Sequence, residues 1–460
     1  MKITFISPPF GEGGQKSKGL PIAPPVLEYL AGLTDVVRPG TDMTLVDANL
    51  RDFDPETCDA DVVGMTVLTP QAPWAYRTAD ALRARGIQVI LGGIHVHALP
   101  DEASAHADAI VVGEAETIWG DILFDAAARR LRLRYDGPYA PLEDLPRPRT
   151  DLLPDFYAFG SFFTSRGCPH SCAFCSVHEN FGHVVRMRPI DDVVAEVATS
   201  SKHMFWNIDD NVWGVDQSRS IELYKEMGRT IHNKWWFGSG DLATVQNSRA
   251  DELLDAARSA GMTAAMVGFE SPSPEVLAEL KATNKQGRDR IDAIKRIRSH
   301  GIDVMLFMMV GSRADHLRDF DSVLELCDRL DVSAHPVMTT PFPGTDLYRQ
   351  YTPHLIPGMD WDLFDGNHAT FYHDDPEMTP QARESAVLRL RADLFTWPRM
   401  LRRVGQISAK GFPMAHITSF MVQYPQGRAF KEFASAHEQV LAELPTLEPV
   451  QVRGGQDVSR

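Results

Sequence analysis

Three of the chain's five cysteines, Cys168, Cys172 and Cys175, fall within a run of eight residues. Their spacing is Cys-x3-Cys-x2-Cys, inside the segment Thr-Ser-Arg-Gly-Cys-Pro-His-Ser-Cys-Ala-Phe-Cys. Iron–sulfur clusters with four irons usually take four thiolates, and no fourth cysteine lies nearby in sequence. A cluster held by three thiolates would leave one iron open to a small molecule. The motif therefore favours redox or radical chemistry over passive binding.

Other uses of these cysteines remain open. A structural zinc site takes four protein ligands, and His170 and His178 lie close enough in sequence to be considered. A disulfide requires paired cysteines and an oxidising compartment, neither of which the sequence indicates. Unliganded thiols are the remaining alternative. Ligand number and spacing favour the iron–sulfur cluster over all three.

Length and charge indicate a cytoplasmic enzyme. The 460 residues suffice for two or three domains. With 46 Lys and Arg against 62 Asp and Glu, the net charge is −16, which argues against a nucleic-acid partner because such binding relies on a basic surface. No apolar run reaches the length of a membrane span, and Pro8 interrupts the N-terminal apolar run too soon for a signal peptide. A cluster bound by thiolates also fits a reducing cytoplasm.

Residues 1–135 are predicted to form a first domain. Five short apolar runs read as strands: Lys2–Ile6, Thr44–Val46, Asp61–Val67, Gln88–Leu91 and Ala109–Val112. Helical spacing at Pro25–Leu33 and Trp74–Arg85 separates some of them. This alternation predicts an α/β fold with a parallel, doubly wound sheet. Ligands of such sheets bind beyond the carboxyl ends of the strands.

A second α/β unit is predicted at residues 159–350, after a proline-rich linker at residues 136–158. Its six predicted strands are Ser161–Ser165, Met204–Asp209, Trp235–Gly240, Ala264–Phe269, Val304–Val310 and Ala334–Thr340. Helical segments between them imply a parallel sheet that curls into a partial barrel. Because chemistry in such barrels lies at the carboxyl ends of the strands, the polar residues there are expected to converge on one mouth.

Residues 351–460 are predicted to be mostly helical, with a helix at Pro380–Thr396. Aromatic residues precede this helix and several arginines lie on and after it. Two interpretations stay open for the region, a cap on the substrate side of the barrel and a domain that serves only packing.

The cysteine motif resembles that of the radical S-adenosylmethionine (radical SAM) superfamily, and Phe174 between its last two cysteines fits the same pattern. The resemblance implies that Cys168, Cys172 and Cys175 ligate a 4Fe-4S cluster whose open iron binds SAM. An electron from an external donor such as flavodoxin or ferredoxin would then cleave SAM to methionine and a 5′-deoxyadenosyl radical. The protein would position the cofactor and exclude water.

The same resemblance assigns SAM contacts at the predicted barrel mouth. Asp209 and Asp210 match a motif after the second strand, where a carboxylate suits the SAM ammonium. Glu270 matches a position that hydrogen-bonds the ribose. Arg313 either pairs with the SAM carboxylate or forms a surface ion pair. The implied SAM site comprises Phe174, Asp209, Asp210, Gly240, Glu270 and Arg313. Arg186 matches a basic segment without an assigned role.

The first domain resembles the cobalamin-binding domain fused ahead of many radical SAM enzymes. The resemblance rests on Val63-Gly64-Met65-Thr66, Leu91-Gly92-Gly93-Ile94-His95 and Val111-Val112-Gly113-Glu114-Ala115-Glu116. It implies a cobalamin groove lined by Thr66, Leu68, Gly92, Gly93, Gly113 and Glu114.

The first loop departs from many cobalamin domains. The loop Pro8–Gly14 lacks the histidine with which those domains ligate cobalt. Cobalamin would therefore bind without that ligand, or the domain no longer binds it. His95 and His97 are more typical of packing than of a metal site, since no further ligand set is visible.

The expected function is that of a cobalamin-dependent radical SAM enzyme that methylates an unactivated carbon of a small, secondary-metabolite or lipid-like substrate. In this mechanism one SAM methylates cobalamin and a second supplies the radical. The alternative is a radical SAM enzyme that catalyses cyclisation, rearrangement or oxidation without methyl transfer, with or without bound cobalamin. A non-enzymatic redox or cobalamin sensor is disfavoured, because it would not need the polar residues of the barrel mouth.

Overall fold

The computed structural model describes residues 1–10, 22–143, 145–154, 156–282 and 289–406. The part of the first loop from Gly11 to Gly14, the predicted helix start at Arg288 and residues 407–460 of the C-terminal region lie outside the described residues. Two six-stranded parallel sheets organise the described part of the chain.

The first sheet contains all five predicted strands and a sixth. Its strands run in the spatial order β2-β1-β3-β4-β5-β6, all parallel. They are β1 (Lys2–Ser7), β2 (Asp42–Asp47), β3 (Val62–Thr66), β4 (Gln88–Gly92), β5 (Ala109–Gly113) and β6 (Arg134–Gly137). The sixth strand occupies the predicted start of the linker. It has only four residues, of which Tyr135 is buried, so its alternation is too short to stand out in the sequence.

Helices cover both faces of this sheet, as a doubly wound fold requires. They are α1 (Pro25–Val37), α2 (Ala72–Ala84), α3 (Ile94–Ala98), α4 (Pro100–Ser104) and α5 (Trp119–Ala127). The core on one face includes Tyr76 and Leu82 of α2, and the core on the other includes Leu27 of α1 and Trp119 of α5. Pro25 begins α1, a position at which the missing N–H costs no hydrogen bond.

The second sheet confirms the six-strand prediction. Its order is β14-β13-β12-β11-β10-β7, all parallel, with β7 and β14 at the two edges, so the barrel is partial. A short antiparallel pair, β8 with β9, lies beside it. The strands are β7 (Phe159–Phe162), β8 (Ser165–Arg166), β9 (Arg186–Met187), β10 (Met204–Asn207), β11 (Trp235–Gly240), β12 (Met262–Glu270), β13 (Asp303–Val310) and β14 (Ser333–Met338).

The outer face of this sheet packs on helices, whereas its inner face is partly exposed. The helices are α6 (Val177–Phe181), α7 (Ile190–Thr199), α8 (Gln217–Thr230), α9 (Ala250–Ser259), α10 (Pro274–Glu279), α11 (Asp289–Ser299), α12 (Leu317–Leu330), α13 (Asp346–Tyr351), α14 (Pro380–Leu394) and α15 (Trp397–Gln406). Phe205 and Leu306 lie in the core beneath these helices. Their strand neighbours Trp206 and Phe307 point to the opposite face and are only half-buried. Parallel sheets are normally covered on both faces, so the inner face is the natural place for bound ligands.

The described C-terminal residues are packed against the barrel. The guanidinium group of Arg391 on α14 is buried and donates hydrogen bonds to the carbonyls of Pro336 and Gly366, at 2.9 and 3.1 Å. Trp361 lies against the first domain, where its indole N–H donates to Glu102 at 3.1 Å. This region therefore contacts both α/β units. Within the residues that the structure describes, no helix has the length and apolar character of a membrane span.

Candidate active site

The three cysteines lie on the loop between β8 and α6. None of the three forms a disulfide; Cys172 is buried, and Cys168 and Cys175 are half-buried. The N–H of Cys175 donates to the carbonyl of Cys172 at 3.1 Å, which closes a turn within the motif. Gly167 opens the loop with φ of +100°, and a Cβ there would come within 2.6 Å of the carbonyl oxygen of Val184. Glycine is therefore required at the start of the loop.

The cysteine loop suits a multi-iron cluster better than a single metal ion. Nowhere in the described ranges do three or more His, Cys, Asp or Glu side chains converge in a way that would hold one ion. In a four-iron cluster each thiolate binds a different iron, so the sulfur atoms need not converge on one point. Burial raises the pKa of the Cys175 thiol to about 12, and a coordinated metal is what deprotonates such a thiol.

The histidines considered for zinc have other neighbours. His170 Nε2 lies 3.1 Å from Asp241 Oδ2, and the ring of His178 stacks on that of His183 with centroids 5.2 Å apart. His170 thereby links the cysteine loop to the loop that follows β11.

Asp209 supports the strand that leads into the cysteine loop. Its buried carboxylate accepts hydrogen bonds from the backbone N–H groups of Thr164 and Ser165, at 2.6 and 3.1 Å, and from both hydroxyl groups. Asp210 accepts a hydrogen bond from the N–H of Gly167 at 3.2 Å, and burial raises its carboxyl pKa to about 6. The two predicted SAM contacts thus fix the approach to Cys168, and direct contact with SAM remains a prediction.

Gly240, another predicted SAM contact, makes room for a tryptophan. A Cβ at this position would lie 2.1 Å from Nε1 of Trp213, which is buried on the helix side of the sheet. Next to it, Asn211 Oδ1 accepts from the N–H groups of Trp213 and Asp241, both at 3.2 Å. Asn211 therefore ties the second and third mouth loops together, a role that its place after Asp209 and Asp210 did not reveal.

Glu270 adopts an unusual backbone conformation at the mouth. It is buried with φ of +62°, and the pairing of β12 with β13 shifts register between Gly268 and Glu270. A bulge re-aims a side chain, and positive φ is uncommon at a non-glycine residue. Arg290 donates to the carbonyls of Phe269 and Ser271, at 2.9 and 3.2 Å, and so holds the bulge. Contact of Glu270 with the SAM ribose stays a prediction.

Arg313 and Phe174 have defined neighbours. Of the two interpretations of Arg313, the structure shows the ion pair, whose partner is the exposed carboxylate of Asp374. The N–H of Arg313 donates to the Tyr351 hydroxyl at 3.0 Å. Phe174 is half-buried and packs against an apolar cluster that includes Leu277.

Four of the predicted cobalamin residues gather at the carboxyl ends of β3 and β4. Thr66 pairs with Gly92 in the sheet register, and Gly93 follows with φ of +100°. A Cβ on Gly93 would come within 2.6 Å of the N atom of Val67, so only glycine fits there. Leu68 is exposed at this edge. Contact of these four residues with cobalamin stays a prediction.

The other two predicted groove residues have defined protein neighbours. A Cβ on Gly113 would lie 2.2 Å from the carbonyl oxygen of Gly137, so this glycine allows β6 to pack closely. Glu114 is buried and forms ion pairs with Arg186 and Arg166 of the second domain. Its carboxylate therefore faces the barrel domain, which no local sequence signal indicates.

His95 is a packing residue. Its ring is fully buried, with Nδ1 3.3 Å from the Thr69 hydroxyl and Nε2 3.2 Å from the Glu102 carboxylate. The ring of Trp361 meets it edge-on at 5.5 Å. Both ring nitrogens thus have protein partners, which leaves neither for a cobalt ion.

Comparison with known families assigns both sheets. The model of the radical SAM superfamily matches residues 162–327, and the model of the B12 binding domain matches residues 36–123. This chain belongs to the radical SAM enzymes with a fused cobalamin-binding domain. Members of this family use a 4Fe-4S cluster, SAM and cobalamin. This chain contains both the radical SAM domain and the cobalamin-binding domain.

Individual relatives match most of the chain. A bacteriochlorophyllide d C-8(2)-methyltransferase of Chlorobaculum tepidum is 26% identical over 453 residues, covering 92% of this chain and 96% of that protein. An anaerobic magnesium-protoporphyrin IX monomethyl ester cyclase of Rubrivivax gelatinosus is 25% identical over 440 residues, covering 84% and 75%. The solved structure of the radical SAM methyltransferase TsrM from Kitasatospora setae shares the fold, with a TM-score of 0.69 and 16% identity, covering 95% of this chain and 99% of that one.

Proposed function

We propose that this enzyme transfers a methyl group to an unactivated carbon of a small molecule. The observation that carries the proposal is the direct junction between the two cofactor domains. Glu114 lies just beyond the end of β5 in the cobalamin domain, and its partner Arg166 lies two residues before Cys168. Methyl transfer by this route requires the two cofactor edges to face one another, and this junction supports that arrangement.

The relatives support methylation of a cyclic, largely apolar substrate. Besides the C-8(2) enzyme, they include a bacteriochlorophyllide d C-12(1)-methyltransferase and a hopanoid C-3 methylase. The partly exposed inner face of the barrel offers matching surface in Trp206, Met266 and Phe307. We assign the substrate to apolar ring compounds of the secondary-metabolite or lipid class.

The proposed roles of this chain's residues follow from their placement. Cys168, Cys172 and Cys175 hold the cluster, and Glu270 binds the SAM ribose at the bulge. Thr66, Leu68, Gly92 and Gly93 form the cobalamin edge. When bound, cobalamin supplies the methyl group and the cluster with SAM supplies the radical that removes a hydrogen atom from substrate. Asp209 and Asp210 orient the cysteine loop through its backbone.

An external electron donor such as flavodoxin or ferredoxin is part of the proposal, because the cluster needs an electron for each SAM cleavage. A cluster bound by thiolates persists in a reducing compartment. We therefore place the enzyme in the cytoplasm.

The test is anaerobic reconstitution with iron, sulfide and cobalamin, followed by SAM and a strong reductant, with mass spectrometry of the SAM-derived products. Formation of both 5′-deoxyadenosine and S-adenosylhomocysteine supports methyl transfer. Formation of 5′-deoxyadenosine alone supports the second candidate, a cyclisation, rearrangement or oxidation. Among these three non-methylating reactions, the match to a cyclase favours cyclisation.

A further inference from the structure

Two arginines lie directly opposite one another in the strand pair that brackets the cysteine loop. Arg166 of β8 is paired with Arg186 of β9 in antiparallel register, and neither residue is more than one-fifth exposed. Like charges at opposed positions of an antiparallel pair repel, and burial strengthens the repulsion because the local dielectric is low. This strand pair therefore needs negative charge from another part of the chain.

The negative charge comes from the cobalamin domain. Arg166 Nη1 lies 2.6 Å from Glu116 Oε1 and 3.4 Å from Glu114 Oε2. Both terminal nitrogens of Arg186 donate hydrogen bonds to Glu114, Nη1 to Oε2 at 2.8 Å and Nη2 to Oε1. Two arginines and two carboxylates thus form a balanced, bidentate network across the domain boundary.

The linker joins the same network. The N–H of Ala140 donates to Glu114 Oε2 at 2.8 Å, and its carbonyl accepts from Arg186 Nη1 at 2.6 Å. The guanidinium carbon of Arg186 lies 5.1 Å from the ring centre of Tyr139. Burial opposes ionisation of Glu114, but hydrogen bonds from Arg186 and Ala140 and the nearby arginine charges hold its carboxyl pKa below the ordinary value. The carboxylate is therefore charged at neutral pH.

We propose that Glu114 and Glu116 act as positioning residues that set the position of the cysteine loop relative to the cobalamin edge. This inference rests on the proposed function and assigns a role to Arg186. The cysteine loop begins one residue after Arg166, so a change in the ion pairs moves the loop relative to the cobalamin domain. Methyl transfer between the two cofactor sites depends on that relative position, whereas SAM cleavage uses the cysteine loop and the barrel mouth alone.

The first experiment compares S-adenosylhomocysteine with 5′-deoxyadenosine in the reconstituted Glu114→Gln variant. A misplacement on the order of 1 Å costs about 100-fold in a positioned reaction, so the rate of S-adenosylhomocysteine formation is expected to fall by about 10- to 100-fold. Iron content and 5′-deoxyadenosine formation are expected to stay within about twofold of the unsubstituted enzyme, because SAM cleavage uses the cysteine loop and the barrel mouth alone. A roughly twofold change in rate corresponds to less free energy than one hydrogen bond contributes. Arg186→Lys, which keeps the charge but loses the bidentate contact, is expected to be intermediate.

Asp125→Asn is the matched control. Asp125 is a half-buried carboxylate of the first domain that, like Glu114, has two arginine neighbours, Arg130 at 3.3 Å and Arg132 at 3.6 Å, but all three residues lie within that domain. Its substitution should leave the ratio of the two products unchanged. An unchanged ratio in Glu114→Gln would overturn the proposal. A parallel loss of iron and of both products in that variant would also overturn it, because the network would then serve only stability.

Hydrogen exchange of the protein without cofactors gives the second readout. Exchange in residues 138–142 and 164–188 is expected to be on the order of tenfold faster in Glu114→Gln than in Asp125→Asn, because the ion pairs that join these segments are broken. Equal protection in both variants would overturn the proposal. If the unsubstituted enzyme forms no S-adenosylhomocysteine, the proposed function fails, and hydrogen exchange still decides whether the network joins the domains.

Discussion

Asp209 accepts hydrogen bonds from both the backbone N–H and the hydroxyl group of Thr164, 45 residues earlier in the chain. We expect Asp209→Asn to destabilise the approach to the cysteine loop, because an amide offers one acceptor atom where the carboxylate offers two. The lost contacts should lower the free energy of unfolding by about 1–3 kcal/mol. Chemical denaturation of the protein without cofactors measures this change. Glu222→Gln, on the exposed surface of α8, is the control, and equal stability of the two variants would contradict the assigned role.

Cys172→Ala is expected to abolish both cluster binding and SAM cleavage. Two thiolates cannot hold a cluster that leaves its fourth iron open. Iron and sulfide analysis after anaerobic reconstitution, together with assay of 5′-deoxyadenosine, measures both effects. Cys327→Ala removes a fully buried cysteine of α12 far along the chain and should retain the cluster. Full iron content and turnover in Cys172→Ala would refute the ligand assignment.

Cobalamin is expected to bind without a protein imidazole on cobalt. The first loop has no histidine in the residues Pro8–Gly14, and the ring of His95 is taken up by Thr69 and Glu102. Electron paramagnetic resonance of the cobalt(II) form should be identical for protein at natural abundance and protein labelled with ¹⁵N. A change in the nitrogen superhyperfine pattern on labelling would show a protein ligand and contradict the prediction.

Asp315 is expected to contribute a loss of stability to the barrel domain as pH rises towards neutrality. Burial raises the pKa of Asp315 to about 7, whereas an unfolded chain loses this proton near pH ~4. The folded state therefore holds the extra proton between these values, and the free energy of unfolding decreases with pH in that window. Asp315→Asn should remove a slope of up to about 1.4 kcal/mol per pH unit. Urea unfolding from acidic to neutral pH measures the difference between the two proteins.

Glu28 provides the control for this pH dependence. Burial also raises the carboxyl pKa of Glu28 to about 7, but this residue lies on α1 of the cobalamin domain. Glu28→Gln should remove its own contribution and leave that of Asp315. Parallel pH profiles for Asp315→Asn and the unsubstituted protein would show that Asp315 does not retain its proton.

Local sequence patterns predicted most of the architecture. Strand β11 was predicted with its observed ends, Trp235–Gly240, because three consecutive aromatic residues favour a strand and the glycines at 238 and 240 mark its end. The four-residue strand β6 was not predictable, since a strand of that length carries too little periodicity. Helices α3 and α4, at five residues each, were not predicted for the same reason.

The features of the site also divide into those set by residues close together in the chain and those set by tertiary packing. The sequence by itself determined the cysteine motif, the order of the two α/β units and the loops at the strand ends, because each depends on residues that are close together in the chain. Only the tertiary structure decided that Glu114 meets Arg186 across 72 residues, that Gly240 accommodates Trp213 and that Arg313 meets Asp374. These pairings depend on how separate elements pack, which no local pattern encodes. For Glu114 and Arg186, burial also strengthens the interaction between the charges.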